Sequence, residues 1–175
     1  MKTPILLGLS LAILVGPAMA FEKADLDKLR KNKKCTSSTF SSCDLSGASL
    51  IDLDLVGANL EGANLEGATL ESLDLSKANL SETNMKGVRM VKVNLNKARL
   101  VESNMEGVKM TGVSIESADL TDAKLTNGTL KGVSFKNSAF KDADLSGTDM
   151  KLSNLSGATG INEAPCAKPS FGACK

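Results

Sequence analysis

Large apolar residues stand at every fifth position of this chain from Phe40 to Leu155. The series has 24 members: 15 Leu, five Met, three Phe and Ile115. A helix would displace every fifth residue by about 140° around its axis, and a straight strand would send successive members to opposite faces. The pattern therefore predicts a chain that turns once in every five residues and keeps one large apolar side chain per unit inside.

The other positions of the five-residue unit agree with a turn. Two residues before each large apolar residue stands a mostly small one, such as Ala48 or Ala58. Two residues after it Gly occurs ten times, and the remaining residues there are polar, with Leu152 as the exception. Gly and short polar residues tolerate turn conformations. Each unit is thus predicted to run in, out, in and then around a corner.

A period of 20 residues is superimposed on the period of five. In the column of mostly small residues, bulky side chains recur in every fourth unit, at Leu53, Leu73, Val93, Val113 and Val133. Four units would therefore close one coil, and residues 20 apart would stack. The 24 units then make about six coils, with a height of about 29 Å at the usual ~4.8 Å between strands.

The units resemble the Ala-(Asp/Asn)-Leu-x-x motif of the pentapeptide-repeat family. Residues 58–62 and 63–67 both read Ala-Asn-Leu-Glu-Gly, and residues 118–122 read Ala-Asp-Leu-Thr-Asp. The resemblance covers about 120 of the 175 residues. It implies an all-β fold, a right-handed quadrilateral β-helix, over residues 38–157. It implies no single function, and it supplies no catalytic residues.

Residues 1–20 are predicted to be a signal peptide. Lys2 is followed by an apolar stretch from Ile5 to Val15 and by the small residues of Ala18-Met19-Ala20, so that cleavage would precede Phe21. Removal of Lys2 would leave 20 basic and 20 acidic residues. We expect export to the periplasm or beyond the cell, and no stable membrane insertion after cleavage.

Residues 21–37 are predicted to form a short helix and a loop. Acidic residues come early and basic residues late, as the helix dipole prefers. One interpretation is a cap over the open edge of the first coil, which would otherwise invite pairing with another chain. The alternative is a basic docking arm formed by Arg30, Lys31, Lys33 and Lys34.

Cysteines occur only near the two ends of the predicted rod, and residues 158–175 form a tail without the five-residue pattern. An even number of Cys in an exported chain suggests disulfides. The two ends are too far apart for a bridge, because bonded cysteines need Cα atoms within about 7 Å. We therefore predict Cys35–Cys43 and Cys166–Cys174, the second pair closing the tail.

Composition excludes several classes of function. The chain has no His, Trp or Tyr, so the Ser–His and Cys–His pairs of nucleophilic catalysis cannot form. An unbroken coil is predicted to offer no catalytic cleft, and we expect neither an enzyme nor a cofactor. Nucleic-acid binding is not expected, because net positive charge and stacking aromatics are lacking. The DNA mimicry of quinolone-resistance proteins in the resembling family requires a strongly acidic rod, which this neutral chain is not.

Two charge patterns are candidates for binding. Seven acidic and no basic residues lie between Cys35 and Ser76, whereas five basic and no acidic residues lie between Thr83 and Val101. The 20-residue period also stacks four acidic residues along one corner, which is a speculative column for a divalent cation such as Ca²⁺. These residues are Glu82, Glu102, Asp122 and Asp142. Side chains that splay into water are the alternative interpretation.

The sequence thus predicts an exported, non-enzymatic structural or protein-interaction module whose protein partner is unknown. Contacts are expected from the outward apolar residues Ile51, Val56, Val91 and Val101. The predicted oligomeric state is a monomer or an end-to-end dimer. The alternative is an envelope accessory protein that binds a small ligand or a divalent cation along the acidic column.

Overall fold

The structure is a computed structural model, and it describes residues 23–33 and 43–161. Helix α1 (Lys23–Asn32) precedes five short strands. These are β1 (Ser49–Ile51), β2 (Thr69–Glu71), β3 (Arg89–Val91), β4 (Lys109–Thr111) and β5 (Thr129–Lys131). They form one parallel sheet in chain order, and each residue pairs with the residue 20 positions later. The predicted stacking of residues 20 apart is confirmed.

The stacking extends beyond the named strands through isolated bridges on the other sides of the coil. The first joins Asp44 to Asn64, and the last joins Ala139 to Thr159. Five strands enclose four complete 20-residue turns, slightly fewer than the predicted six coils. The sequence count was higher because it included the unit at Phe40, outside the described residues, and terminal units that form bridges without strands.

The interior is the predicted apolar column. Every member of the five-residue series from Leu45 to Phe140 is at most 1% exposed. Phe135 and Phe140 pack edge to face, with ring centroids 5.2 Å apart. Burial of apolar surface stabilises a fold by about 25 cal/mol per Å², so this column is the main source of stability. Towards the C-terminal end the core is less completely covered, since Leu145 and Met150 are only partly buried.

Each corner contains one residue in the left-handed backbone conformation. The last position of the unit has positive φ 23 times between Gly47 and Gly157. Ten of these residues are Gly, and thirteen are other residues with φ between 52° and 64°. A side chain in this conformation costs about 1–2 kcal/mol. The coil requires the conformation at every corner, so burial of the inward column must outweigh that cost.

Helix α1 packs against the first coil, where the cap interpretation placed it, and the capping role stays a prediction. Its residues Leu26 and Leu29 belong to the buried core. The Asp25 carboxylate accepts the backbone N–H of Asp44 at 3.1 Å, and the carbonyl of Lys33 accepts the N–H of Asn59 at 3.1 Å. Helix α1 and the residue that follows it thus provide hydrogen-bond acceptors for two backbone N–H groups of the first coil.

One of the four basic residues of the docking-arm interpretation makes an ion pair within the chain. The Lys33 ammonium lies 2.9 Å from the Asp54 carboxylate and is therefore engaged within the chain. Arg30 and Lys31 are exposed, and Lys34 lies outside the described residues. Within the described ranges, no helix has the length and apolarity that a bilayer crossing requires.

Candidate functional site: the walls of the rod

The rod presents one strand face and three turn faces. The strand face consists of β1–β5 and the corner residues that follow them. On the three turn faces, Asp or Asn stands before many of the inward residues and accepts the N–H of the residue two positions later, at 2.9–3.3 Å. Twelve residues do this on the turn faces: Asp44, Asp54, Asn59, Asn64, Asp74, Asn79, Asn84, Asn94, Asn104, Asp119, Asp144 and Asn154.

Most corners of the turn faces also close with a backbone hydrogen bond from one unit to the next. The N–H of Ala48, for example, donates to the carbonyl of Leu45 at 3.0 Å around Gly47. This bond and the positive φ at the third turn residue are those of a type II turn. The corners after β1–β5 lack the bond.

Two sequence positions distinguish the corners. After β1–β5 the next inward residue is always Leu or Val, and the position before the inward strand residue holds neither Asp nor Asn. Val88 is also an inward Val that follows a corner. In that unit, however, Asn84 stands before the inward residue Met85, and the N–H of Val88 donates to the carbonyl of Met85 at 3.2 Å. In the last coil Asp149 and Ser153 occupy the two positions, and the turn bond appears there too. Among the described units, both conditions occur together only at the corners after β1–β5, and the corner after Ile115 lacks the turn bond without meeting them.

Two acidic side chains on the turn faces form ion pairs with lysines of neighbouring coils. Glu106 lies 3.1 Å from Lys124 in the next coil and 3.5 Å from Lys86 in the previous one. These ammonium groups, Lys124 first, hold the pKa of Glu106 below its ordinary value. Glu116 lies 3.9 Å from Lys136 in the same way. Charges of opposite sign therefore help to align successive coils.

Side-chain amides add a second link between coils. Asn64 donates to Asp44 and Asn84 donates to Asn64, both at 3.1 Å. Asn94 donates to Asp74 at 3.1 Å, and hydrogen bonds from Ser76 and then Asn94 lower the pKa of that carboxyl group. Sequence analysis did not assign this role to Asp and Asn. The signal was their recurrence at one position of the unit.

Charged side chains on the strand face have no such partners. Within the described part of the chain, no ion pair or side-chain hydrogen bond involves Asp52, Glu71, Arg89, Lys92, Lys109 or Lys131. All six residues are exposed. Arg89 is moreover the register partner of Lys109. The acidic residues of this face lie in the first two coils and the basic residues in the following three. Four of the twelve residues that form the axial charge segregation predicted from the sequence therefore lie on this wall.

The four residues of the predicted cation column lie one above another, as the 20-residue period required. Glu82, Glu102, Asp122 and Asp142 are all exposed corner residues with φ of 57–58°. Among the described residues, no group of three or more acidic, His or Cys side chains is arranged to hold a metal ion. The cation remains a prediction, and calorimetry with Ca²⁺ on the chain and on Glu102→Ala would test it.

Apolar exposure differs partly from the prediction. Ile51 and Val56 are exposed, at 48% and 38%, but Val91 and Val101 are half-buried. Leu152 is the most exposed of the large apolar residues described, at 69%. It borders a depression of about 220 Å³ that is also lined by Thr129, Leu130, Lys131, Asp149 and Lys151.

Several predicted features fall outside the described residues. They are the signal peptide, Cys35, Cys166, Cys174 and the tail after residue 161. Cys43 is described: it is buried at 3% exposure and is disulfide-bonded. The residue bonded to Cys43 is not described, so both predicted pairings stay predictions.

Two family profiles match the chain. The profile "Pentapeptide repeat region" matches residues 59–135, and "Pentapeptide repeats (8 copies)" matches residues 34–71 and 118–157. Together they span the whole repeat region. No curated protein matches the chain.

Solved structures with the same repeat are similar to the chain. HetL of the cyanobacterium Nostoc sp. strain PCC 7120, involved in heterocyst differentiation regulation, is 26% identical, with 70% of this chain and 59% of HetL covered and a TM-score of 0.37. Rfr23 of the cyanobacterium Cyanothece 51142 is 19% identical over 75% of this chain and 92% of its own, with a TM-score of 0.45. QnrB1, a plasmid-mediated fluoroquinolone resistance protein, is 18% identical over 66% and 64%, with a TM-score of 0.43.

Proposed function

Because this chain belongs to the pentapeptide-repeat proteins, we propose that it is an exported, non-enzymatic structural or protein-interaction module. The observation that carries the proposal is the uninterrupted apolar column, at most 1% exposed from Leu45 to Phe140. Such a core fixes the backbone of every wall. A partner that binds a wall therefore spends little free energy on ordering it.

The N-terminal coil offers an apolar contact site for a protein partner. Ile51 and Val56 are exposed there on adjoining walls, at either side of the corner residue Asp52. Exposed apolar side chains with a polar border are typical of protein contacts, although scattered single residues are common on any surface. The proposal therefore rests on the pair and not on either residue alone.

Recovery of partners from the envelope fraction of the source cells tests this proposal. The tagged full chain should retain a protein that the double variant Ile51→Ser with Val56→Ser loses. The matched control is Thr111→Ser with Thr129→Ser, which changes two exposed strand-face residues. Retention of the same proteins by all three chains would contradict the assignment to this site. Sedimentation of the purified chain would separately decide between a monomer and an end-to-end dimer.

Export has its own test. A chain with residues 1–20 should yield a product that begins at Phe21 outside the cytoplasm, whereas a chain without them should stay in the cytoplasmic fraction. Peptide mapping without reduction should then find Cys35 linked to Cys43 and Cys166 linked to Cys174. A full-length N-terminus on the exported product, or a bridge between the two ends of one chain, would overturn these proposals.

A further inference from the structure

The strand face carries a group of four basic residues that the rest of the rod does not neutralise. We call Arg89, Lys92, Lys109 and Lys131 the basic strip. All four are exposed, and none makes an ion pair or a side-chain hydrogen bond in the described part of the chain. The nine outward positions of β3–β5 and the corners after them include no acidic residue.

The arrangement within the basic strip is unfavourable for the isolated chain. Arg89 and Lys109 are register partners in adjacent parallel strands, which lie about 4.8 Å apart. Like charges placed directly opposite each other destabilise a sheet. On one turn face the chain relieves such repulsion locally, since Glu106 lies between Lys86 and Lys124 in the neighbouring coils. A ligand that brings negative charge would relieve the repulsion at the strip.

The size of the basic strip favours a narrow ligand. Three strands at about 4.8 Å and three residues at about 3.3 Å give an area on the order of 140 Å². A stable globular partner usually covers about 800 Å² on each side. Acidic Glu71 precedes the strip by one coil and Asp149 follows it by one coil, so the positive surface is bounded along the axis. A linear chain that crosses the wall needs no larger surface.

The chemistry beside the bases favours a sugar polymer over other linear polyanions. Thr111 and Thr129 are exposed between the basic side chains and can both donate and accept hydrogen bonds with sugar hydroxyls. Binding of single-stranded nucleic acid relies on stacking with aromatic side chains. The chain has no Trp or Tyr, and Phe135 and Phe140 are buried. Among the residues that the structure describes, no aromatic platform accompanies the bases.

We propose that the basic strip binds a linear acidic polysaccharide, whose carboxylate or sulfate groups pair with Arg89, Lys92, Lys109 and Lys131. This ligand is distinct from the protein partner proposed above, and the two assignments use different residues. Binding depends on ion pairs at an exposed wall, so its affinity falls as salt screens the charges. The site does not depend on a metal ion or on a conformational change.

Titration calorimetry on the full chain tests the ligand class. The probes are a heparin oligosaccharide, which carries sulfates, an oligogalacturonate of equal length, which carries carboxylates alone, and a neutral dextran. The acidic probes should bind with a salt-dependent affinity, and dextran should not. The stronger of the two acidic probes identifies the anion. Equal binding of dextran, or no binding of either acidic probe at low salt, would overturn the proposal.

A matched pair of triple variants tests the location. Arg89→Gln, Lys109→Gln and Lys131→Gln remove three charges from the strip, whereas Lys77→Gln, Lys97→Gln and Arg99→Gln remove three exposed charges from neighbouring walls. The strip variant should bind the preferred acidic probe about tenfold more weakly or worse, and the control should stay within about twofold. Equal losses would show attraction by net charge alone. Tighter, strip-dependent binding of single-stranded DNA or polyglutamate would show that the polymer class is wrong.

Thermal melting gives a readout without ligand. The single variant Lys109→Gln should melt at a higher temperature than the parent in low salt, because its repulsion with Arg89 is gone. The difference should shrink at high salt. A lower melting temperature in low salt would mean that Lys109 makes a stabilising contact, and the premise of an unneutralised strip would fail.

Discussion

The strand face and the turn faces are built from the same five-residue unit, but they satisfy their polar groups in different ways. On the turn faces, Asn and Asp side chains accept backbone N–H groups, and Lys and Glu pair between coils. On the strand face, the backbone pairs in strands, and within the described part of the chain the charged side chains of β1–β5 make no ion pair or side-chain hydrogen bond. The comparison shows that the recurring Asp or Asn of the unit serves the fold on three walls, whereas backbone pairing takes that role on the fourth wall.

The largest expected effect on stability concerns the core that both kinds of wall share. Leu95 is fully buried behind a turn face, and Leu95→Asp should prevent folding, because an unpaired buried charge costs several kcal/mol. Thr111→Asp places the same charge on the outside of β4 and should change stability by no more than about 0.5 kcal/mol. Circular dichroism and thermal melting would show this. A soluble, β-rich Leu95→Asp chain with unchanged melting would contradict the assigned frame.

A smaller effect should separate the polar positions of the two kinds of wall. Asn94 accepts the N–H of Asn96 and donates to Asp74, both at 3.1 Å. Asn94→Ala should destabilise the chain by about 1–2 kcal/mol, because two hydrogen bonds are lost. Thr129→Ala, at the same position of the unit on the strand face, should cost about 0.5 kcal/mol. Urea titration measures both, and equal costs would remove the distinction.

The corner residues offer a test in both directions. Leu152 has φ of 64° and an exposed side chain, so Leu152→Gly should stabilise the chain by about 0.5–1 kcal/mol. Gly112 has φ of 60° with no atom within 4 Å of an added Cβ, so Gly112→Ala should destabilise it by about 1 kcal/mol through strain alone. Melting curves would compare the two. A loss of stability in Leu152→Gly would show that the Leu152 side chain makes a stabilising contact.

Acid should remove a stabilising contribution from the turn faces. The pKa of Asp74 lies below its ordinary value of 3.8, so its carboxylate stabilises the fold above that pH. This contribution is lost as the pH falls below 3.8 through the folded-state pKa. Asp74→Asn should therefore lose less stability between pH 7 and pH 3 than the parent. The urea midpoint at both pH values decides.

The smallest expected effect is a local conversion of one corner. Thr129→Asn introduces a hydrogen-bond acceptor before the inward residue Leu130. Asn84 stands at the same position before Met85, and there the turn bond forms although the next inward residue is Val88. The amides of Lys131 and Val133 should then exchange more slowly, with a change in stability of at most about 0.5 kcal/mol. Amide exchange followed by NMR would detect it. Unchanged exchange at both amides would show that the acceptor position does not select the corner.

The coil and its core could be predicted from the sequence because they depend on a repeated local pattern. A unit that turns after every inward Leu needs only its own five residues, and Leu45 to Phe140 are buried as the pattern required. The burial of Val91 and Val101 could not be predicted in this way. The five-residue period gives the wall on which an outward side chain lies, but it does not give the exposed fraction of that side chain.

The division into two kinds of wall was only partly visible in the sequence. The bulky column that begins with Leu53 and Leu73 was recognised as a sign of the 20-residue period. Its meaning needed the positions of hydrogen bonds at the corners, which show that Leu or Val without a preceding Asn or Asp marks the strand face. The contact of Asp25 with Asp44 was also out of reach, because no repeat fixes how α1 lies on the first coil.

The corner geometry gives the rod two repeat lengths, which are five residues for the core and twenty residues for each wall. A wall is assigned by counting residues, so removal of one five-residue unit between Arg89 and Lys109 would keep the core continuous but rotate all later residues by a quarter turn. Lys109 would then leave the wall of Arg89, and the surface that both residues share would be divided. Removal of 20 residues would shorten the rod by one coil and keep each later residue on its own wall. Folding thus tolerates steps of five residues, whereas recognition along a wall tolerates steps of twenty.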